Sequence, residues 1–195
     1  MGDPRRLKSK YKGPVHPWQA ARIEEEKVLL KEYGLKNKKE LWKTNSKLKN
    51  FAAQAKKLIA ARGPQAELEK KQLLQKLAKL GLVKQGAGLD DVLGITIKSL
   101  LERRLQTIVC RQKFARTMKQ ARQFVTHEHV FIGGKLVSNP SYLVPVEDEK
   151  TILFATTSSL SNPEHPERAQ KEKAPAKAPA KTPAKTRRTP VRVKK

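Results

Sequence analysis

The spacing of apolar residues predicts helices throughout the first half of the chain. A helical pattern runs from Pro17 to Tyr33, with a proline suited to a first turn and Gly34 placed to end the helix. Asn37, with Glu40 three residues later, predicts a capping box for a second helix. The apolar positions of this second helix share one face at helical spacing: Leu41, Leu48, Ala52, Ala55 and Ile59.

A third helix is predicted after the break at Gly63-Pro64, over about Gln65 to Leu80, with Gly81 after it. The segment KQGAGLDDVLG that follows is a glycine-broken connector with one short helical turn. It lacks the third glycine of a dinucleotide loop and the Gly-Lys-Ser/Thr of a phosphate loop, so a plain linker is favoured over a nucleotide site. Together these elements predict a small helical subdomain.

The second half begins with two helical patterns. ITIKSLLERRLQTIVCRQ predicts one continuous helix, with Arg103 and Arg104 beside an apolar stripe of Ile97, Leu101, Leu105 and Ile108. Thr117 is typical of an N-cap and opens a shorter helix, whose apolar face is Met118, Ala121, Phe124 and Val125. The residues predicted to point away from that face or to lie at its margin are Arg116, Lys119, Gln123 and Arg122. The two helices therefore present a cationic outer surface.

The stretch HEHVFIGGKLV, residues 127–137, allows three interpretations. His127 and His129 could ligate a metal, but zinc needs further ligands, and the other histidines lie near the ends of the chain. Two glycines beside Lys135 suggest a phosphate loop. Alternating apolar residues around a Gly-Gly pair favour a β-hairpin, because a type I′ turn needs positive φ at both central positions. The segments SYLV and TILFA predict one or two further short strands, which makes the fold α+β.

The charge of the chain narrows the class of partner. The 195 residues include 43 Lys and Arg against 18 Asp and Glu, a formal charge of +25. Residues 1–170 alone still carry 33 basic against 17 acidic residues. Such an excess destabilises a compact state unless a polyanion screens it. Nucleic acid is favoured over a membrane, because neither a secretory segment nor an apolar run of about 20 residues occurs.

The two ends of the chain differ from the rest. Residues 1–15 form a basic arm, expected to be extended until a partner orders it, and the Ala/Pro/Lys-rich tail predicts disorder. Little suggests an enzyme: Cys110 follows an apolar stripe, where a packed thiol is favoured over a nucleophile, and the acidic residues are scattered. No cofactor or metal is expected. Three aromatic residues are predicted to pack between helices and not to stack on bases: Trp18, Trp42 and Phe51.

Three segments of the second half resemble successive signatures of the S-four RNA-binding (alpha-L) module: ERRLQTIV, ARTMKQARQFV and VFIGGKLVSNPSYLV. The segments MGDPRRLKSKYKGPVHPW, RIEEE and LLKEYGLKNKKELWK are similar to the opening of archaeal-type S-four proteins of the small ribosomal subunit. The resemblance implies a protein that binds small-subunit ribosomal RNA early, grips a helical junction and aids assembly of the subunit body. It also implies neighbouring ribosomal proteins as partners, a cytoplasmic location near the path by which messenger RNA enters, and neither a membrane nor a small-molecule substrate.

The chain departs from the family pattern at three positions. Lys113 and Glu128 stand where glycine is common, and Gly133 stands where asparagine is common in the hairpin turn. Glu128 puts a negative charge beside the expected phosphate. The zinc-binding cysteines of some bacterial relatives are missing, so the resemblance implies no metal here.

The predicted organisation has four segments: an arm at 1–15, a helical subdomain at 16–95, an S-four-like module at 96–160 and a disordered tail at 161–195. The candidate RNA-binding residues are Arg5, Arg6, Lys8, Lys10, Arg103, Arg104, Arg111, Arg116, Thr117, Lys119, Gln120, Arg122, His127, His129, Gly134 and Lys135. The alternatives are a DNA-compacting protein with a tail like that of linker histones, and a pre-ribosomal assembly factor built on the same module.

Overall fold

The computed structural model describes residue 9, residues 11–162 and residues 165–167. The α-helices of this part are α1 (Ala20–Glu32), α2 (Lys38–Ala60), α3 (Pro64–Lys79), α4 (Leu89–Leu93), α5 (Ile97–Glu102), α6 (Leu105–Arg111) and α7 (Met118–Thr126). The strands are β1 (Val130–Ile132), β2 (Lys135–Leu136) and β3 (Leu153–Phe154). This composition confirms the α+β class. Most residues of the predicted arm and tail lie outside the described part of the chain. The disorder predicted for the tail concerns these residues.

The three predicted helices of the first half are present, but the buried face of α2 differs from the predicted one. Its buried residues are Leu41, Thr44, Ala55 and Leu58. Ile59 was predicted on this face and is instead 49% exposed, so that prediction is wrong. Leu58 takes its place because it packs with Leu73 and Leu77 of α3 in the cluster that holds α2, α3 and α4 together.

The predicted capping box at the start of α2 is also wrong. Asn37 has the extended conformation of an N-cap, but its side chain makes no capping hydrogen bond. The Glu40 carboxylate accepts hydrogen bonds from Arg104 and Arg122 instead. A pair of guanidinium groups thus outcompetes a backbone amide for this carboxylate.

The helix predicted across residues 95–112 is two helices, because Arg104 interrupts it. Arg104 is extended, with φ −74° and ψ 142°, and forms an isolated antiparallel bridge with Leu143. Amide–carbonyl bonds flank the bridge, from Leu105 to Tyr142 at 2.8 Å and from Val144 to Arg103 at 3.1 Å. The SYLV segment, predicted as a strand, contributes this bridge only. Long-range backbone pairing therefore overrides local helical preference.

In the C-terminal module, α6 and α7 pack on a three-stranded antiparallel sheet of order β2-β1-β3. The hairpin prediction is confirmed: Ile132 pairs with Lys135, and Gly133 and Gly134 have φ of +50° and +86°. The predicted apolar face of α7 also points inward, with Ala121, Phe124 and Val125 buried.

A cluster of Tyr33, Leu35, Leu41 and Leu101 joins the N-terminal helices to the module. Gln106, fully buried, adds hydrogen bonds from its side-chain amide to the carbonyl oxygens of Tyr33, Gly34 and Met118. The first turn of α7 is thereby fixed against the end of α1. We call this contact region the joint. Among the described residues, no helix is both long and apolar enough to cross a membrane.

Helices α6 and α7 end in the same motif, each with a non-glycine residue in the left-handed region. Lys113 has φ +64° and Glu128 has φ +61°. In each helix the next residue donates to the carbonyl five positions earlier, Phe114 to Val109 and His129 to Phe124. This is the Schellman motif, in which glycine is favoured at the left-handed position. The two positions at which the family commonly has glycine are therefore the two strained helix ends of this chain.

Replacing Lys113 or Glu128 by glycine is expected to raise the free energy of unfolding by about 1 kcal/mol each, because glycine has no Cβ to clash at positive φ. Urea denaturation monitored by circular dichroism measures the change. Gln123→Gly is the matched control; at an exposed, right-handed position of α7 it should lower the free energy of unfolding by about 1 kcal/mol. A lower free energy of unfolding in K113G or E128G would contradict the proposed backbone strain at these positions.

Candidate nucleic-acid interface

The start of α7 is held by the residues that were predicted to make polar RNA contacts. The Thr117 hydroxyl accepts from the Gln120 amide at 3.2 Å, as the predicted N-cap should. The Gln120 side-chain oxygen accepts in return from the Arg116 amide at 2.8 Å. Both side chains therefore have structural roles, because their hydrogen bonds fix the direction in which α7 begins.

The outward face of α7 carries Arg116, Lys119 and Gln123, all exposed as predicted. The Arg116 guanidinium donates to the carbonyl oxygen of Pro166, so this arginine also holds the chain where it leaves the module. Arg122, predicted at the margin, turns to Glu40, with nitrogen–oxygen distances of 2.8 and 3.3 Å. The cationic surface of α7 is thus narrower than helical spacing alone suggested.

Arg104 does not lie on the surface, and its predicted contact with phosphate is wrong. Its side chain is 1% exposed, with hydrogen bonds to Glu40 at 2.8 Å and to the Ser141 hydroxyl at 3.2 Å. The extended backbone at Arg104 directs the side chain inward, towards α2. Arg103 is half-buried and donates to Glu149 and to the Val144 carbonyl, each at 2.8 Å. Glu149 is therefore the acidic partner of Arg103.

Glu40 is an acidic acceptor that joins the two halves of the molecule. Burial raises the pKa of its carboxyl, but the hydrogen bonds from Arg122 and Arg104 outweigh burial, so the pKa lies below its ordinary value. The carboxylate is therefore ionised at neutral pH and is shared between two guanidinium groups. We call Glu40, Arg104 and Arg122 the triad.

The two histidines take different positions at the corner after α7. His127 caps the helix and is exposed, whereas His129 is half-buried. The Nδ1 atom of His129 lies 2.9 Å from the Ser158 hydroxyl, and its ring packs edge-on against Phe124. The left-handed Glu128 between them makes the corner. His127 is thus available to a ligand, and His129 helps to close the module.

The hairpin places its basic residue at the surface. Gly133, Gly134 and Lys135 are all exposed, and the Gly133 amide donates to the Thr151 hydroxyl at 3.2 Å. Arg111, at the end of α6, is exposed and lies 3.5 Å from Glu102. Such an exposed pair contributes little to stability, so it leaves the guanidinium available for another anion. Arg5, Arg6, Lys8 and Lys10 lie outside the described residues.

The described end of the arm lies against α2. Tyr11 stacks on Trp42, with ring centroids 6.3 Å apart, and the Lys12 amide donates to the Ser46 hydroxyl at 3.1 Å. The Trp42 indole donates to buried Glu26 at 3.0 Å. Burial raises the pKa of the Glu26 carboxyl, but hydrogen bonds from Trp42, Arg22 and Lys38 together lower it below its ordinary value.

The prediction for the aromatic residues holds for two of the three. Trp42 of α2 donates to Glu26 of α1 and also packs on Tyr11. Phe51 packs against the α2–α3 cluster, with the Lys76 ammonium 5.9 Å from its ring centre. Trp18, in contrast, is 90% exposed, so the prediction that it packs between helices is wrong. Helical periodicity had included Trp18 because α1 was predicted from Pro17, whereas the helix begins at Ala20.

Cys110 is a free, half-buried cysteine. Burial raises the pKa of the Cys110 thiol, which keeps it protonated and poorly nucleophilic. Among the residues that the structure describes, no three His, Cys, Asp or Glu side chains are grouped so as to hold a metal ion.

Comparison with known proteins identifies the family. The S4 domain model, which describes the S-four module, matches residues 103–150. The chain is 48% identical over 174 residues to the small ribosomal subunit protein uS4 of Methanococcus aeolicus, covering 89% of this chain and 98% of that protein. It is 49% identical over 170 residues to uS4 of Nanoarchaeum equitans, covering 86% and 94% of the two chains. With uS4 of Methanococcus maripaludis the identity is 47% over 169 residues, covering 86% and 95%. The similarity extends across the N-terminal helices as well as the module, and the chain therefore belongs to the uS4 family of small-ribosomal-subunit proteins.

Proposed function

We propose that this protein is a structural constituent of the small ribosomal subunit that binds small-subunit ribosomal RNA and supports translation. The observation that carries the proposal is the similarity to uS4 proteins over almost their full length. Early binding, assembly of the subunit body and a position near the path of incoming messenger RNA are parts of the same proposal. It further includes a cytoplasmic location, contacts with neighbouring ribosomal proteins, and a binding role without catalysis.

The RNA-binding surface that we propose lies on the module, and the arm supplies further contacts. Phosphate contacts come from exposed cations on three elements, the end of α6, the outer face of α7 and the hairpin: Arg111, Arg116, Lys119 and Lys135. His127 and the backbone of Gly134, both exposed on the module, add further contacts in this proposal. The four basic residues of the arm are proposed to contact the RNA as well. Thr117, Gln120 and His129 position this surface, as do Arg103, Arg104 and Arg122 through their acidic partners.

The division of the chain into an arm, a helical part, a module and a tail remains part of the proposal. The triad and the joint both connect α1 and α2 with the module. The two folded parts therefore bind RNA as one body, because their relative position is set by internal contacts. An assembly factor with the same module would be absent from mature, translating subunits, and a DNA-compacting protein would co-purify with duplex DNA.

Replacing Arg116, Lys119 and Lys135 together by alanine is expected to reduce the salt dependence of RNA binding. Each lost phosphate contact lowers the slope of log affinity against log salt by about 0.7 to 0.9, so the triple variant should lose about two to three units. Filter-binding titrations with small-subunit ribosomal RNA between low and physiological salt measure the slope.

The matched control for this experiment removes the same charge from exposed lysines of the N-terminal half, Lys56, Lys71 and Lys84. It should leave the slope within about one unit of the unmodified protein. Equal flattening in both triple variants would mean that affinity depends on total charge and that the proposed surface is wrong. A protein that fails to bind this RNA at all would overturn the proposed function itself.

A further inference from the structure

Trp18 places a large aromatic ring in solvent. Its side chain is 90% exposed, more than that of any other large apolar residue in the described part of the chain, and neighbouring Val15 is exposed as well. Tryptophan exposes an apolar ring at a cost and is enriched where proteins bind partners. The other tryptophan of the chain, Trp42, is partly buried and has both a stacking partner and a hydrogen bond. The exposure of Trp18 therefore needs a separate explanation.

The turn that carries Trp18 is fixed by a side chain of the following helix. The Arg22 guanidinium donates to the carbonyl oxygens of His16 at 3.2 Å and Pro17 at 2.8 Å. Arg22 also pairs with Glu26, which in turn accepts from Trp42 at 3.0 Å. The backbone on the N-terminal side of Trp18 is thus tied to α1 and α2 before any ligand arrives. An aromatic ring on a pre-ordered turn loses little conformational entropy on binding.

A polar groove adjoins the turn that carries Trp18. It has a volume of about 230 Å³, and both neighbours of the Pro17-Trp18 pair, His16 and Gln19, line it. Two lysines, Lys12 and Lys49, line the same groove. Arg22 and Glu26 also line it, but their charges offset each other. The groove is therefore cationic, and the turn next to it carries an exposed aromatic residue.

We propose that Trp18 is a stacking platform for an unpaired base of RNA and that the groove between Lys12 and Lys49 receives the adjoining phosphate. An aromatic face next to cations is the arrangement by which proteins bind single-stranded nucleic acid. A base inside a duplex has no free face, so the ligand is an unpaired nucleotide in a loop, a bulge or an end. The inference rests on the proposed function, which supplies the RNA, and assigns to the N-terminal turn a contact of different chemistry from the cationic face of the module.

The test compares Trp18→Ala, Trp18→Leu and Trp18→Phe with the unmodified protein in filter binding to small-subunit ribosomal RNA. W18A and W18L are expected to bind about 5- to 100-fold more weakly, the range for loss of one stacked base, and W18F to stay within about threefold of the unmodified protein. Because no charge is removed, all three should keep the salt slope. Thermal melts should be unchanged, since an exposed side chain contributes little to folding.

Tryptophan fluorescence gives a second readout. Saturating RNA should quench the emission of the unmodified protein much more than that of W18F, whose one tryptophan is the partly buried Trp42. Normal affinity in W18A together with equal quenching in the two proteins would overturn the inference. The inference would also be overturned if W18L bound the RNA as tightly as W18F. Leucine can replace the ring in an apolar protein contact but cannot stack on a base. In each of these cases the unmodified protein still binds RNA, so the proposed function would stand.

Discussion

Glu40→Ala is expected to lower the free energy of unfolding by about 3 kcal/mol, because it leaves a buried guanidinium without its counter-charge. Arg104 is 1% exposed, and Glu40 is the acidic residue that pairs with it. The Arg122 side chain, 24% exposed, can turn to water when Glu40 is removed. We therefore expect a loss near the lower end of the range for broken buried ion pairs, which extends to about 5 kcal/mol.

Urea denaturation at neutral pH tests this expectation against Glu25→Ala, which removes an exposed glutamate from α1. The control should change the free energy of unfolding by no more than about 0.5 kcal/mol. If the free energy of unfolding of E40A lay within about 1 kcal/mol of that of E25A, the triad would not be the buried ion pair described above.

The pH dependence of stability offers a further comparison within the same series. Because the folded state lowers the pKa of Glu40, the unfolded state takes up its proton more readily, and the triad contributes fully above the ordinary glutamate pKa. This contribution is lost as the pH falls through the lower, folded-state value. Glu40→Gln cannot titrate at this position, so the stability of E40Q should fall less steeply with acid than that of the unmodified protein. Parallel curves would contradict the lowered pKa.

Local rules explain the elements that the sequence predicted well. The N-cap at Thr117, the Gly133-Gly134 turn and the apolar face of α7 each depend on residues within a few positions of one another. Such patterns can be recognised in a single sequence, because the conformations that compete with the N-cap, the turn or the helix also depend on neighbouring residues. The departures at Lys113 and Glu128 came from the resemblance to the S-four module and not from a local rule, and both coincide with left-handed helix ends.

Glu40 and the arginines show where local rules fail. The partners of Glu40 lie 64 and 82 residues away in the sequence, and no pattern within α2 indicates them. Instead, Glu40 fits a capping box, which is wrong. Periodicity placed Arg104 beside one apolar stripe and Arg122 at the margin of another. It could not show which guanidinium group a distant carboxylate binds. In a chain with 43 basic residues and 18 acidic ones, the acidic residues decide which cations remain at the surface.

The triad and the joint also give the proposed RNA surface its shape. Arg122 and Lys119 belong to the same helix, and the contact of Arg122 with Glu40 fixes the rotation of α7 relative to α2. Lys119 then faces outward. We therefore expect a variant that weakens this contact to bind RNA less tightly, although neither Glu40 nor the residues of the joint are proposed to contact RNA.

Gly34→Ala is expected to lower the free energy of unfolding by about 3 kcal/mol, of which about 1 kcal/mol is the cost of a Cβ at positive φ. Gly34 has φ +57°, and an added Cβ would lie 2.8 Å from the Cβ of Met118 and 3.2 Å from the Gln106 amide nitrogen. Met118 Cβ is attached to the backbone of the first turn of α7 and cannot rotate away. The turn must shift, and the hydrogen bonds of Gln106 across the joint weaken with it.

The matched control is Gly86→Ala, which has the same left-handed strain, φ +83°, but no atom within 4 Å of the added Cβ. It should cost about 1 kcal/mol, so the difference between the two variants measures the close approach at the joint. Because α7 carries Lys119, G34A should also bind ribosomal RNA more weakly than G86A under conditions where both are folded. Equal affinity in the two variants would show that the RNA surface tolerates displacement of α7 and that the joint contributes only to stability.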